Sequence, residues 1–151
     1  MKAKIFFKSV VIVLVLAGVS VTERVYALCA TPPEQGTWEN MDSNTRSITK
    51  VVVRFQCQDQ VLNGQPYPPG VPFYLHLYGK CHPSDCDWGE KEAQELASGW
   101  LYSYYNQGFA KRHVYARMSQ RYPGKLFVWV YTDFTDPQRK DYSVGNWFNK
   151  I

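Results

Sequence analysis

The stretch Ala110–Asp133, AKRHVYARMSQRYPGKLFVWVYTD, gives the clearest indication of the fold, because two alternating segments flank a strong turn signal, Pro123-Gly124. Alternation of this kind is typical of β-strands with one buried face. The apolar set comprises Val114, Ala116, Met118, Leu126, Val128, Val130 and Thr132. The opposite set comprises His113, Tyr115, Arg117, Phe127, Trp129, Tyr131 and Asp133. A strand over residues 110–122, a turn and a strand from residue 126 therefore predict an antiparallel hairpin.

Further segments of strand character surround this hairpin. They are residues 36–40 with a buried Trp38, and residues 48–58, 73–78, 100–105 and 141–148. A long loop follows residue 58, and a cysteine-closed turn is predicted over residues 80–89. Residues 90–97 contain good helix formers, but the pattern around them is all-β. We therefore expect a strand or an irregular edge there.

Seven or eight short strands joined by Gly, Pro and Asn turns predict an all-β protein. Hairpin-length links imply antiparallel pairing. A small up-and-down barrel of about eight strands suits a chain of this length, and closure removes edges that so aromatic a sheet could not safely expose. A two-sheet β-sandwich is the alternative.

The first 27 residues have the organisation of a signal peptide. Lys2, Lys4 and Lys8 form a positive region, an apolar run covers residues 10–19, and Val25-Tyr26-Ala27 offers a cleavage site. The apolar run is shorter than the ~20 residues that a membrane-spanning helix needs. We expect cleavage after Ala27, a single domain over residues 28–151, secretion or a periplasmic location, and no membrane insertion after cleavage.

The balance of charged residues bears on the kind of partner that the protein could bind. Residues 1–27 hold four of the 17 basic and one of the 13 acidic side chains, so the remainder carries 13 basic and 12 acidic side chains. Nucleic-acid binding is not expected, because such proteins usually show a basic stripe or a known motif. Aromatic residues make up 16% of the chain, which favours strands. The oligomeric state stays open.

Four cysteines in an exported chain predict two disulfides. Three pairings exist, and proximity favours Cys81–Cys86, which leaves Cys29–Cys57. The competing interpretation is a metal site built from Cys81, His82, Asp85 and Cys86. Their C-x-x-x-x-C spacing differs from the usual C-x-x-C of zinc sites, and no second ligand pair remains. We therefore expect neither a metal nor another cofactor.

Amphipathic side chains recur on one face of successive strands and form the candidate ligand-binding set. Flat rings with polar edges can stack on sugar faces or apolar ligands and orient them by hydrogen bonds. The set could line the barrel interior or cover its outer face. It comprises Tyr74, His76, Tyr78, His113, Tyr115, Arg117, Trp129 and Tyr131.

These residues predict a secreted, non-catalytic binding protein for a small molecule or a carbohydrate. A secreted hydrolase is the first alternative, in which His82 and Asp85 would do acid–base work. A protein-interaction or inhibitor domain is the second. No nucleophile-elbow context surrounds the nearby Ser84, so we expect a binding protein rather than an enzyme.

Two resemblances add to this interpretation. Gly36-x-Trp38 resembles the first-strand G-x-W of calycins, the lipocalin and avidin group, and Arg139 before the last strand is also similar to that group. The combination of G-x-W-x-N-x-D at residues 36–42 and C-H-P-x-D-C-D-W-G at residues 81–89 resembles a family of small exported proteins. The second resemblance covers most of residues 36–148. It implies a fold and no catalytic residue.

Overall fold

Ten β-strands and no helix make up residues 29–151, the part of the chain that the computed structural model describes. The strands are β1 (Gly36–Asn40), β2 (Ile48–Phe55), β3 (Gln60–Leu62), β4 (Gln65–Tyr67), β5 (Phe73–Gly79), β6 (Cys86–Glu95), β7 (Leu101–Asn106), β8 (Ala110–Met118), β9 (Leu126–Phe134) and β10 (Tyr142–Lys150). The predicted signal peptide over residues 1–27 lies outside the described residues. Within residues 29–151, no helix is long and apolar enough to cross a membrane.

Eight of the strands close into an antiparallel barrel in the order β1-β10-β9-β8-β7-β6-β5-β2. The predicted barrel is confirmed, and the sandwich alternative is wrong. The hairpin predicted around Pro123-Gly124 is β8–β9, in which Val114 pairs with Val130 and Tyr115 pairs with Trp129. Because side chains alternate across a strand, this register places both aromatic rings on the outer surface and both valines inside.

Apolar side chains from every strand of the barrel fill its interior. The buried set comprises Trp38, Ile48, Val51, Val53, Phe73, Leu75, Leu77, Ala93, Leu101, Tyr105, Val114, Ala116, Leu126, Val128, Val130 and Phe148. The polar atoms of two core side chains find partners: Trp38 Nε1 donates to the Glu34 carbonyl at 2.8 Å, and the Tyr105 hydroxyl donates to the Leu75 carbonyl at 2.5 Å. Burial raises the pKa of Tyr105, so this hydroxyl stays a donor.

The two disulfides are Cys29–Cys57 and Cys81–Cys86, as proximity predicts. The first ties the residues before β1 to the chain after β2. The second closes the β5–β6 connection. Disulfides fit an extracellular or periplasmic protein.

Residues 90–97 were expected to form a strand or irregular edge, and β6 confirms the strand. The cysteine-closed turn is shorter than predicted, because Cys86 and Asp87 already pair with Gly79 and Tyr78. Strand β8 ends at Met118 rather than residue 122. Beyond it, Ser119 and Lys125 are joined by a backbone hydrogen bond of 2.7 Å that closes a turn.

Candidate functional site

All eight predicted ligand-binding residues lie on the outer surface of the barrel, which is one of the two placements that the sequence left open. The structure divides them into two groups, because β6 and β7 separate β5 from β8. Tyr74, His76 and Tyr78 lie on β5. His113, Tyr115 and Arg117 lie on β8, beside Trp129 and Tyr131 on β9.

The second group belongs to a larger surface, here called the aromatic face, that extends over β7, β8, β9 and β10. Its residues occupy three parallel rows set by the strand register. One row is Tyr102, Tyr115, Trp129 and Gly145, and the next is Tyr104, His113, Tyr131 and Ser143. The third row contains Arg117, Phe127 and Trp147, with Trp100 beside them.

Most rings of the aromatic face contact one another in tilted or edge-on arrangements, although Tyr102 and His113 are stacked. Tyr115 lies 5.0 Å from Tyr102 and 5.3 Å from Trp129, measured between ring centres, and Phe127 lies 5.1 Å from Trp147. Tilted pairs at these distances favour one another through their ring quadrupoles. Trp129 and Tyr131 are still 37% and 36% exposed. The face therefore offers fixed aromatic surface to solvent.

Gly145 gives the rings of β9 room to lie against β10. A Cβ atom at this position would come within 2.8 Å of the Phe127 ring and 3.6 Å of Trp129. Cross-strand packing of a ring over a glycine is a known way to cover bare backbone. A flat, ring-covered area results, where a side chain would otherwise stand up from the sheet.

Polar groups border the rings. The Tyr102 hydroxyl and His113 Nδ1 are 2.9 Å apart, and the Tyr131 hydroxyl donates to Asp141 Oδ2 at 3.2 Å. The hydrogen bond with Asp141 raises the pKa of Tyr131, and desolvation raises the pKa of Tyr102. Both hydroxyls are thus protonated at neutral pH and can exchange hydrogen bonds with a ligand.

Arg117 adds a positive charge at one end of the aromatic face. Its guanidinium carbon lies 4.3 Å from the centre of the Trp100 ring. Its Nε atom is buried and has no hydrogen-bond partner within residues 29–151. The interaction with the ring therefore holds this side chain in place.

Four further members of the aromatic face were not predicted from the sequence: Trp100, Tyr102, Tyr104 and Trp147. A signal was present, because the first three alternate with Leu101 and Ser103, which are buried. What the sequence lacked was the register that sets Tyr102 opposite Tyr115. Long-range pairing of this kind is specified by the whole barrel rather than by one segment.

The β5 group is covered by charged side chains from its neighbours. Lys50 Nζ lies 3.8 Å from the Tyr78 ring centre, and the Arg54 guanidinium lies at the same distance from Tyr74. Arg54 also makes two hydrogen bonds with Glu90, of 2.7 and 3.0 Å. This bonding lowers the pKa of Glu90. The cations occupy ring faces that a ligand would need.

His76 pairs with the Asp87 carboxylate, which the sequence places in the predicted cysteine-closed turn over residues 80–89. His76 Nε2 lies 2.5 Å from Asp87 Oδ1, and the same oxygen accepts from the Gly89 N–H at 2.7 Å. The His76 ring stacks on Tyr78 with centres 4.7 Å apart. Within residues 29–151, no hydroxyl or thiol is hydrogen-bonded to His76, so the pair lacks the partner that nucleophilic catalysis requires.

The hydrogen bond from Gly89, and secondarily that from His76, lowers the pKa of Asp87. We expect His76→Ala to raise the pKa of Asp87 while leaving it below the ordinary value, because the Gly89 N–H still donates. A depressed carboxylate pKa adds stability above the unfolded-state pKa, and this contribution is lost as pH falls through the folded-state pKa. Side-chain carboxyl NMR titration measures the change. His113→Ala is the control, and an unchanged Asp87 pKa in His76→Ala would contradict the assignment.

His82 and Asp85, the candidates for a hydrolase, do not form a pair. His82 is exposed, and Asp85 Oδ1 lies 3.7 Å from Lys80 Nζ. Cys81 and Cys86 are joined in a disulfide, so their thiolates are not available to a metal. Cys29, Cys57 and Asp59 also lie close together, but both of these sulfurs are likewise bonded to each other.

Comparison of the chain with family models, with curated proteins and with solved structures finds no match. The resemblances to calycins and to the small exported proteins stay predictions. The function must therefore be argued from the geometry of the site itself.

Proposed function

We propose that this protein is a secreted or periplasmic, non-catalytic carbohydrate-binding protein that uses its aromatic face. Export through a cleaved leader over residues 1–27 is part of the proposal, and the two disulfides support it. The observation that carries the proposal is the fixed, outward-facing area of rings over four adjacent strands.

The face has the chemistry that sugars require. The apolar C–H faces of a pyranose pack on flat rings, and sugar hydroxyls need donors and acceptors beside those rings. Trp129 and Tyr115 supply the rings, while Tyr102, His113 and Tyr131 supply polar edges. Gly145 keeps the area flat enough for an extended chain to lie across the strands.

The filled interior favours the outer face over the lumen as the binding surface. Core side chains such as Leu75, Val114 and Val130 occupy the space in which a barrel of this size would hold a ligand. The hydrolase alternative is less well supported, because His82 is exposed and Asp85 lies beside Lys80.

Titration calorimetry with chitohexaose, cellohexaose and laminarihexaose tests the proposal. We expect saturable binding to at least one hexasaccharide and a loss of about fivefold in affinity in Trp129→Ala, since one stacking contact contributes about 1 kcal/mol. Tyr142→Ala is the matched control. Tyr142 is an exposed ring at the start of β10, and it lies on the opposite side of that strand from the aromatic face. We expect it to leave sugar binding unchanged.

Absence of binding to all three hexasaccharides and to a broad glycan array would contradict the proposal. Equal losses in Trp129→Ala and Tyr142→Ala would also contradict it, since they would place the sugar elsewhere. Capture of a protein partner that depends on Trp129, without sugar binding, would instead support the interaction-domain alternative.

A further inference from the structure

A cavity of about 310 Å³ lies at the end of the barrel that carries the Cys81–Cys86 loop. We call it the mouth cavity and define it by Arg46, Lys80, Trp88, Phe109, Arg112 and Tyr142. These residues come from the β1–β2, β5–β6 and β7–β8 connections and from the starts of β6, β8 and β10. Its volume is at the lower end of the range for small-molecule sites, which often lie at barrel mouths.

Pairing between β6 and β7 stops before the end of the barrel that carries the mouth cavity. These strands pair at Gln94↔Tyr102 and Glu95↔Leu101, and no pair follows toward the Cys81–Cys86 end. There, the Ser103 hydroxyl instead donates to the Glu92 carbonyl at 2.8 Å. Backbone pairing between β6 and β7 is therefore missing at the end of the barrel where the cavity lies.

Trp88 forms one wall of the mouth cavity. A β-bulge between the pairs Leu77↔Gly89 and Tyr78↔Asp87 makes Trp88 the extra residue of β6. Its ring lies directly over Gly79, where a Cβ atom would come within 2.5 Å of it. The ring edge also contacts Tyr105, with ring centres 6.1 Å apart. Trp88 is therefore fixed at the upper boundary of the core.

Arg112 is held in the cavity by neutral groups. Its Nε donates to Gln107 Oε1 at 2.7 Å, and Nη1 donates to Thr132 Oγ1 at 2.9 Å. The guanidinium carbon lies 4.5 Å from the Trp88 ring centre and 5.9 Å from that of Phe109. These contacts fix the orientation of the Arg112 guanidinium before any ligand binds. Both hydrogen-bond acceptors are neutral, so neither of them offsets its positive charge.

The mouth cavity has an excess of positive charge. No ion pair within residues 29–151 involves Arg112 or Arg46, whereas Lys80 is paired with Asp85. The Asp87 carboxylate also reaches the cavity, but it already accepts from His76 and Gly89. An arginine without a counter-charge, oriented at a small cavity, is the usual arrangement for binding a carboxylate.

We propose that the mouth cavity binds a small, planar organic carboxylate. The carboxylate would bind the Arg112 guanidinium, and the flat apolar body would lie among the rings of Trp88, Phe109 and Tyr142. This site is separate from the aromatic face and does not depend on sugar binding.

The test uses the exported, disulfide-bonded protein and 2-naphthoate as the probe, with binding followed by calorimetry. The neutral analogue 2-naphthalenemethanol and inorganic phosphate separate the contributions of charge and ring. We expect saturable 2-naphthoate binding, at least tenfold weaker binding of the alcohol, and phosphate competition only at much higher concentration, because both the charge and the rings contribute.

The matched variants are Arg112→Gln and Arg121→Gln, which remove the same charge inside the cavity and at the opposite end of the barrel. We expect a loss of at least tenfold in Arg112→Gln and no change in Arg121→Gln. Phe109→Ala is a second variant that leaves Arg112 in place, and Phe109 is 52% exposed, so folding is not at risk. We expect it to weaken 2-naphthoate binding severalfold.

No saturable binding of 2-naphthoate would overturn the proposal, as would equal affinity for the acid and the alcohol. So would phosphate binding as tightly as 2-naphthoate, since the rings would then contribute nothing. Loss of binding in Trp129→Ala with full binding in Arg112→Gln would place the probe on the aromatic face, and this result would also overturn it.

Discussion

Trp38→Ala should lower the free energy of unfolding by about 3–5 kcal/mol, the range for removing a large aromatic side chain from a core. Trp38 is 1% exposed and packs in the closed core at the first strand. The substitution also removes the donor for the Glu34 carbonyl, which adds to the loss. The free energy of unfolding of a single domain is about 5–15 kcal/mol in total, so this change removes a large fraction of it.

Urea unfolding followed by circular dichroism measures the effect, with the denaturant slope as a check on two-state behaviour. Trp129→Ala is the matched control, because it removes the same side chain from the outer face. There we expect a loss of about 1 kcal/mol or less. Equal losses in the two variants would contradict the assignment of inner and outer faces.

Removing the Cys29–Cys57 disulfide by a double serine substitution should cost about 3.6 kcal/mol. In the loop-entropy model this is the value for a closed loop of about 29 residues, and the two cysteines are 28 positions apart. The same model gives about 2 kcal/mol for the Cys81–Cys86 disulfide, whose cysteines are five positions apart. The larger loss of stability is expected for Cys29–Cys57, because the disulfide that closes the longer loop removes more conformational entropy from the unfolded chain.

Both double-serine variants are unfolded in urea without reductant and compared with the parent protein. The Cys81/Cys86 variant serves as the control for the loss of two sulfurs. A larger loss in that variant than in the Cys29/Cys57 variant would show that loop length does not govern these disulfides. Unchanged unfolding of the parent with and without reductant would contradict a stabilising role for either bond.

Much of the barrel wall follows from local alternation. Residues 126–133 and 73–78 show which side chains face inward, because the buried face of a strand repeats every second residue. The β3–β4 hairpin was missed, because all of its residues are exposed and no buried face produces a pattern. Its turn was visible as Asn63-Gly64, and both residues have positive φ, as a type I′ turn requires.

The candidate site was predicted only in part, for a different reason. Aromatic alternation identified Tyr115 and Trp129, which do lie side by side. It could not separate them from Tyr74 and Tyr78, because the distance between strands depends on the order around the barrel. Arg112 gave no local signal at all, since its role comes from Trp88 and Thr132, which lie 24 and 20 positions away in the chain.

The short pairing between β6 and β7 has a consequence for the stiffness of the barrel wall. Around the barrel, the β8–β9 seam contains nine residue pairs, whereas the β6–β7 seam contains two. At the Cys81–Cys86 end, β7 is held to its neighbours by side-chain hydrogen bonds instead, from Ser103 to the Glu92 carbonyl and from Tyr105 to the Leu75 carbonyl. The well-paired strands β8 and β9 of the aromatic face are thus separated by one strand, β7, from the seam between β6 and β7. Because Tyr102 and Tyr104 lie on β7, movement at this seam would shift one edge of the aromatic face relative to β6.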